Sequence, residues 1–280
     1  MDTKKVWFIT GASKGLGLNF VQQLLAEGYQ VAATSRNQQS LIDAVGVHEG
    51  FLPLSMDVTS NEEVKQTIEQ VINKFGRIDI IVNNAGYSQI GTLEELSDEE
   101  VKRNFDVNVF GALHVIRNVA PYLRKQHSGH IFNISSVGGY IGDFAGFGIY
   151  CSTKFAMAGF TEALAVEMQP FGVKTTLIYP AYFRTNFLEK DSAMTPANPI
   201  DAYANAREVE ASHLDEINGN QPNDPRKAAK VLIELSKQDN PPVHFFMGVG
   251  AYELAQAKIK VIEQALQNNK ELAVSTAIKE

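Results

Sequence analysis

Seven apolar runs recur along the chain: VWFIT (6–10), QVAATS (30–35), GFLPLS (50–55), IDIIVNN (78–84), HIFNISS (130–136), KTTLIYP (174–180) and VHFFMG (243–248). Each is of strand length, and the apolar character is nearly continuous, as in strands buried on both faces. Between most of them lie longer stretches with helical spacing, such as LGLNFVQQLLAEG (16–28) and NEEVKQTIEQVINKFG (61–76). The second closes on a glycine, a frequent helix stop. Ser97 followed by Glu100 in LSDEEVKRNF has the form of a capping box opening another helix. This alternation predicts an α/β fold, a doubly wound parallel sheet of about seven strands with helices on both faces. No linker or repeat interrupts the pattern before about residue 185, so a single domain over 1–280 is expected. Residues 188–224 are polar, proline-punctuated and only weakly helical, which predicts a partly helical lid rather than a bare loop. A last helix is expected at about 249–268.

With 280 residues, 44% hydrophobic and 20% charged, the chain can bury a sizeable core. Its net charge of −7 argues against nucleic acid or an anionic membrane as the main partner, while leaving room for a local basic site. Cys151 is the only cysteine, which excludes a disulfide framework and a cysteine-based metal site. The six histidines, His127 and His130 among them, lack a supporting carboxylate or thiolate pattern, so no metal is expected. The N-terminal apolar run is too short for a signal peptide, and none approaches a membrane span. A cytoplasmic protein is the expectation.

Candidate chemistry begins directly after the first run, at TGASKGLG (10–17). Gly11, Gly15 and Gly17 would let the backbone approach a diphosphate, and a helix beginning near Lys14 would turn its free N–H groups toward the anion. The spacing is G-x-x-x-G-x-G, not G-x-G-x-x-G, and a tight strand-to-helix turn has the same look. The second run ends at Ser35 and Arg36, where such folds read the adenosine ribose. A carboxylate there would accept from a 2′-hydroxyl; Arg36, with Lys14 facing the same point, favours a 2′-phosphate and hence NADP over NAD.

Tyr150 and Lys154, in IYCSTKFA, are four residues apart and would share one face of a helix. A phenol beside a fixed positive charge is a tunable proton donor; a packed tyrosine beside a solvated lysine has the same spacing. A free phenol has a pKa of ~10, so forming phenolate at pH 7 costs about 4 kcal/mol. A cation held near 4 Å contributes on the order of 4 kcal/mol at an effective dielectric of 20.

Taken in order, TGASKGLG, Asp57 in MDVT, NNAG (83–86), Asn108 in FDVNVFGAL, NISS (133–136), YCSTK (150–154) and PAYFRT (180–185) resemble the motifs of the short-chain dehydrogenase/reductase family, from residue 5 to about 190. The resemblance implies one Rossmann domain and hydride transfer between NADP(H) and a carbonyl or secondary alcohol. It makes Tyr150 the general acid/base, Lys154 its partner and holder of the nicotinamide ribose, Ser136 the carbonyl-orienting hydroxyl and Asn108 a fourth member that holds a water. It assigns cofactor contacts to Gly11, Ser13, Lys14, Gly15, Leu16 and Gly17 in the first turn. Further contacts fall to Ser35, Arg36, Asp57 and Val58, then to Asn84, Ala85 and Gly86. Tyr150, Lys154, Pro180 and Thr185 complete the set. Two positions depart from the family's pattern. Ser136 and Tyr150 are fourteen apart, one more than in close relatives, which keeps Ser135 in play; and Ala181 stands where a glycine follows Pro180. Phe144, Phe147, Tyr182, Phe183 and Phe187 suggest an apolar pocket for a lipophilic substrate. Rival readings are a dehydrogenase oxidising a steroid-like or retinoid-like alcohol, and a non-catalytic NADP(H) sensor. The family also implies a homodimer or homotetramer.

Overall fold

In the computed structural model, which describes residues 5–278, all seven apolar runs form parallel strands of one sheet. Residues 1–4 and 279–280 of the expected 1–280 domain, and with them the start of the N-terminal reading, lie outside the described residues. The strands are β1 (Val6–Ile9), β2 (Gln30–Ser35), β3 (Phe51–Ser55), β4 (Ile80–Asn83), β6 (Gly129–Ile134), β7 (Val173–Pro180) and β9 (His244–Met247), with the short β5 (Ser88–Gln89) and β8 (Ala193–Met194) forming a separate pair. The helices are α1 (Gly15–Ala26), α2 (Gln38–Val45), α3 (Asn61–Phe75), α4 (Asp98–Phe105), α5 (Gly111–Gln126), α6 (Gly148–Met168), α7 (Ala204–Ala211), α8 (Pro225–Lys237) and α9 (Ala251–Val274). The last starts and ends later than the sequence suggests.

The continuous apolar runs have a direct cause. Side chains alternate between two cores, so both faces of each strand must be apolar. Trp7 and Ile9 of β1 join one core with Phe20, Val21 and Leu24 of α1 and Leu232 of α8. Val6 and Phe8 join the other with Ile68 of α3, Val119 of α5 and Leu164 of α6. Helix ends follow from local chemistry. The Ser60 side chain accepts from the Glu63 N–H at the start of α3, and Gly76 closes it in the left-handed conformation at φ 77°. The expected capping box is present at α4, where Ser97 and Glu100 satisfy each other's backbone N–H groups.

Sheet order is β3-β2-β1-β4-β6-β7-β9, so the direction of growth reverses between β1 and β4. In an open parallel sheet that reversal leaves a crevice beyond the carboxyl ends of the strands. A cavity of about 510 Å³ lies there.

The expected lid is partly helical and fastened down. It carries α7 and a π-helical segment, Ser212–Ile217, and its β8 pairs with β5. Glu95 accepts from the Ile200 N–H at 2.8 Å and from Arg207 at 2.9 Å, while the Tyr203 hydroxyl donates to Glu94. Burial opposes ionisation of Glu95, but the Ile200 and Thr92 hydrogen bonds and the Arg207 charge hold its carboxyl below the usual range.

Candidate active site and cofactor cleft

Residues that follow β1 build one end of the cavity. Gly11 has φ 65° and Gly15 φ 62°, and a Cβ on Gly11 would stand 2.7 Å from the Ala85 Cα. Only glycine lets this turn lie against the loop after β4. Asn84 locks the two together: its side-chain amide donates to the carbonyls of Thr10 and Gly11, and the N–H groups of Asn84 and Ala85 both donate to Thr10 Oγ1 at 3.1 Å. The first turn of α1 has no side-chain cap and no acidic residue. Its N–H groups therefore face the cavity ready for an anion.

Gly11, Ser13, Lys14, Gly15, Leu16, Ser35 and Arg36 line the cavity, as do Asp57, Val58, Asn84, Ala85, Gly86, Pro180 and Thr185. Gly17 does not. It is buried behind the turn, where a Cβ would meet Asn84 Nδ2 at 2.6 Å. Lys14 and Arg36 both border the cavity, and among the described residues neither has an ion-pair partner. An unbranched glycine cradle, uncapped helix N–H groups and two uncompensated cations fit a dinucleotide carrying several phosphates.

Tyr150 and Lys154 lie on the first turns of α6, 7% and 4% exposed, and both border the cavity. Full burial rules out the solvated-lysine alternative. Lys154 Nζ donates to the Ile134 carbonyl at 2.9 Å and stands 5.8 Å from the centre of the Tyr150 ring. Burial pulls its pKa down to about 8. Burial also pushes the Tyr150 phenol well above its ordinary value; the Ser136 hydroxyl offsets part of that rise, and Cys151 and Tyr182 add to it. The sequence led to an ammonium close enough to lower the phenol's pKa. In the structure desolvation is the largest influence on the phenol.

The Ser135 hydroxyl is buried and donates to the Lys154 carbonyl. Ser136 Oγ accepts from the Gly138 N–H at 3.0 Å, and its hydroxyl lies within hydrogen-bonding reach of the Tyr150 phenol. A Cβ on Gly138 would meet Ser136 Oγ at 3.5 Å and the Tyr150 ring at 3.6 Å, so serine and phenol flank one glycine.

Asn108 is fully buried and does not line the cavity. It sits in a π-helical turn, Asp106–Phe110, of the kind that often marks functional positions. Its amide accepts from the Tyr87 N–H and donates to the Tyr87 carbonyl and to Thr153 Oγ1, each at 3.0 Å. Thr153 in turn donates to the Tyr150 carbonyl at 2.7 Å. Both amide hydrogens are thus used, one of them on the first turn of α6 through Thr153, while Oδ1 accepts from Tyr87.

Sequence reasoning missed Thr10, whose hydroxyl serves three partners, and Thr153, whose hydroxyl serves two; an isolated threonine carries no pattern. Phe144, Phe147, Tyr182, Phe183 and Phe187 all line the far end of the cavity. Cys151 is buried and its thiol is pushed up to about 11, mainly by burial, as suits a packing residue. His130 is buried against Thr176 Oγ1 at 2.9 Å, and desolvation lowers its pKa to about 3. Among the described residues no group of three or more His, Cys, Asp or Glu side chains could hold a metal, and no helix is long and apolar enough to cross a membrane.

Comparison with known proteins adds to this geometry. A family model described as short chain dehydrogenase matches residues 5–196. The 3-ketodihydrosphingosine reductase of Bacteroides thetaiotaomicron is 36% identical over 247 residues, covering 87% of this chain and 88% of that protein. A crystal structure of a short-chain dehydrogenase from Streptomyces avermitilis superposes with a TM-score of 0.91 at 32% identity, covering 99% of this chain and 100% of the other. ElxO with NADP bound superposes with a TM-score of 0.74 at 28% identity, covering 89% of this chain and 99% of that one.

Proposed function

The chain belongs to the short chain dehydrogenase family, and from that premise we propose that it interconverts a lipophilic ketone or aldehyde and the corresponding alcohol, using NADP(H). The observation that carries this reading is the burial of Tyr150 and Lys154 beside Ser136 on the wall of the cofactor-sized cavity. Bound nicotinamide would supply or remove the hydride.

The chain's own groups manage the proton and the charge. Tyr150 Oη donates its proton to the carbonyl oxygen in reduction and recovers it in oxidation. The phenol is protonated at neutral pH, as an ordinary phenol is, and burial reinforces that state. Ser136 donates its hydroxyl hydrogen to the same oxygen and favours its alkoxide-like form. Lys154 spends one N–H on Ile134 and keeps two, with its charge available to steady the phenolate. Asn108 acts as a positioning residue, through Thr153, on the turn that presents Tyr150. Lys14 and Arg36 would take the 2′-phosphate. The Bacteroides relative, named as a keto reductase, supports a carbonyl substrate. Phe155 and Val166 stand exposed on α6, 42% and 71%, which supports assembly into two or four copies through that helix.

The test is oxidation of NADPH followed at 340 nm against lipophilic ketones and aldehydes, with Tyr150→Phe alongside. Turnover that falls ~10²–10⁴-fold in the variant, with NADPH binding kept within a few-fold, supports the reading. Tight NADPH binding with no turnover of any carbonyl or alcohol overturns it in favour of a cofactor sensor.

A further inference from the structure

Beyond Tyr150 the cavity wall is largely aromatic, with Phe144, Phe147 and Phe187 on it. Tyr182, His213 and Gln221 are among the polar side chains that share the lining. None of the three is used by the hydride and proton chemistry above. Tyr182 follows β7, while His213 and Gln221 come from the lid, so the group forms only where the lid meets the catalytic loop.

The hydrogen bonding of His213 fixes what Tyr182 can offer. His213 Nδ1 lies 2.8 Å from the Val209 carbonyl, which only accepts, so Nδ1 carries the ring's hydrogen. The ring is 8% exposed and packs on Phe147 with centroids 4.5 Å apart, an environment that keeps it neutral. Nε2 is then a bare acceptor. Tyr182 Oη, 2.9 Å away, must give its one proton to it. What remains on Oη is lone pairs, so this phenol accepts and does not donate.

Gln221 strengthens the case. It is 2% exposed, and neither end of its side-chain amide has a hydrogen-bond partner among the described residues. An unpartnered buried amide costs about 1–3 kcal/mol, a deficit that a ligand group can remove. Its backbone carbonyl is already held by Arg184 Nε at 3.1 Å, which fixes the residue in place.

We propose that Tyr182, His213 and Gln221 form a recognition subsite for a hydroxyl group carried by the substrate apart from its reacting carbonyl. The inference rests on the carbonyl-reductase reading and narrows its substrate class to hydroxy ketones. The hydroxyl donates to Tyr182 Oη, and the Gln221 amide meets its oxygen. A methyl ether at the same place has no hydrogen to give and brings an acceptor against an acceptor. A site built to hydrogen-bond a hydroxyl discriminates strongly against analogues without it, because its own polar groups are then left unpaired.

The test uses matched aryl alkyl ketones bearing hydrogen, hydroxyl or methoxy on each carbon from one to three bonds beyond the carbonyl. Wild type should favour hydroxyl over methoxy by about tenfold or more in kcat/KM for at least one position, the scale of one hydrogen bond. Tyr182→Phe should bring that ratio to near one. In His213→Phe the Tyr182 proton is released toward the cavity, so Oη can donate to either oxygen and the methoxy ketone should gain, bringing the ratio toward one. A purely structural role for His213 would leave the ratio unchanged. Calorimetric titration of the corresponding product alcohols into the NADP-loaded enzyme reads the same preference without turnover. Turnover with no hydroxyl preference at any position overturns the subsite and leaves the reductase reading standing. Selective binding of the hydroxylated alcohols without turnover does the reverse, and failure of both measurements overturns both.

Discussion

Replacing Arg36 by alanine tests the cofactor assignment at the one point where NADPH and NADH differ. Arg36 is exposed just past the end of β2, Lys14 is half-buried at the N-cap of α1, and both border the cavity. The hydroxyl of Ser35 is already committed to the Asn37 carbonyl at 2.5 Å. A charge-assisted hydrogen bond is worth ~1.5–3 kcal/mol, whereas exposed ion pairs contribute ~0.2–1 kcal/mol. Exposure places Arg36 near the meeting of these ranges, about 1.4 kcal/mol, or about tenfold in affinity. Wild type should therefore prefer NADPH at least tenfold, with Lys14 adding to the margin. Arg36→Ala should weaken NADPH about tenfold and shift NADH less than twofold. Ser35→Asp should reverse the preference, since a carboxylate there accepts from a ribose hydroxyl and repels a phosphate. Raising ionic strength should shrink the margin, because the Debye length falls from about 10 Å at 0.1 M to about 3 Å at 1 M. The measurements are fluorescence titrations with both cofactors and kcat/KM for each. A wild type that prefers NADH, or equal losses for both cofactors in Arg36→Ala, would refute the reasoning.

Two further outcomes follow from buried charges. Lys154 loses its proton near pH 8, and with it the charge that steadies the Tyr150 phenolate, so kcat/KM for reduction should fall as pH rises through that value. Lys154→Arg, which stays charged, should move the limb beyond pH 10, and a wild-type profile flat from pH 7 to 10 would contradict the role given to the ammonium. Glu95→Ala removes the carboxylate that holds Ile200, Thr92 and Arg207; limited proteolysis should then cut within 188–224 several times faster, and slow again when NADP and a product alcohol are both bound. Unchanged cutting in the variant would show that the β5–β8 pair alone secures the lid.

The sheet was legible in the sequence because a strand buried on both faces has few alternatives to a continuous apolar run. Trp7 and Phe8 point into different cores, and no helix with one wet face would tolerate both. β5 and β8 were not legible, since two residues carry no period. Nor were the π-helical turns at Asp106–Phe110 and Ser212–Ile217, because one extra residue in a helix leaves the surrounding hydrophobic pattern almost unchanged. Yet those turns carry Asn108 and His213. The Tyr150–Lys154 spacing showed a shared face but not a separation, which the Ile134 carbonyl sets from another strand. Likewise the sequence favoured Ser136, but the extra residue before Tyr150 kept Ser135 in play. Only the packed structure shows Ser135 spent on the Lys154 carbonyl.

Parallel topology explains why motifs scattered over the chain meet in one crevice. TGASKGLG follows β1, the NNAG segment closes β4, NISS closes β6 and PAYFRT closes β7, and these four strands are adjacent in the sheet. All run the same way, so their carboxyl ends share one edge and whatever follows them must converge there. Convergence of loops alone gives a cleft for a ligand, not a phenol at a fixed height. The proposed proton donor, Tyr150, comes from α6, which has no side-chain cap and so depends on its neighbours for its starting position. Asn108 supplies the restraint through Thr153 to the Tyr150 carbonyl, while Ile134, at the end of β6, holds Lys154 from the sheet side. The phenol is thus located by one restraint from a helix and one from a strand. Loss of either should leave the cofactor cradle intact and displace only the proton donor.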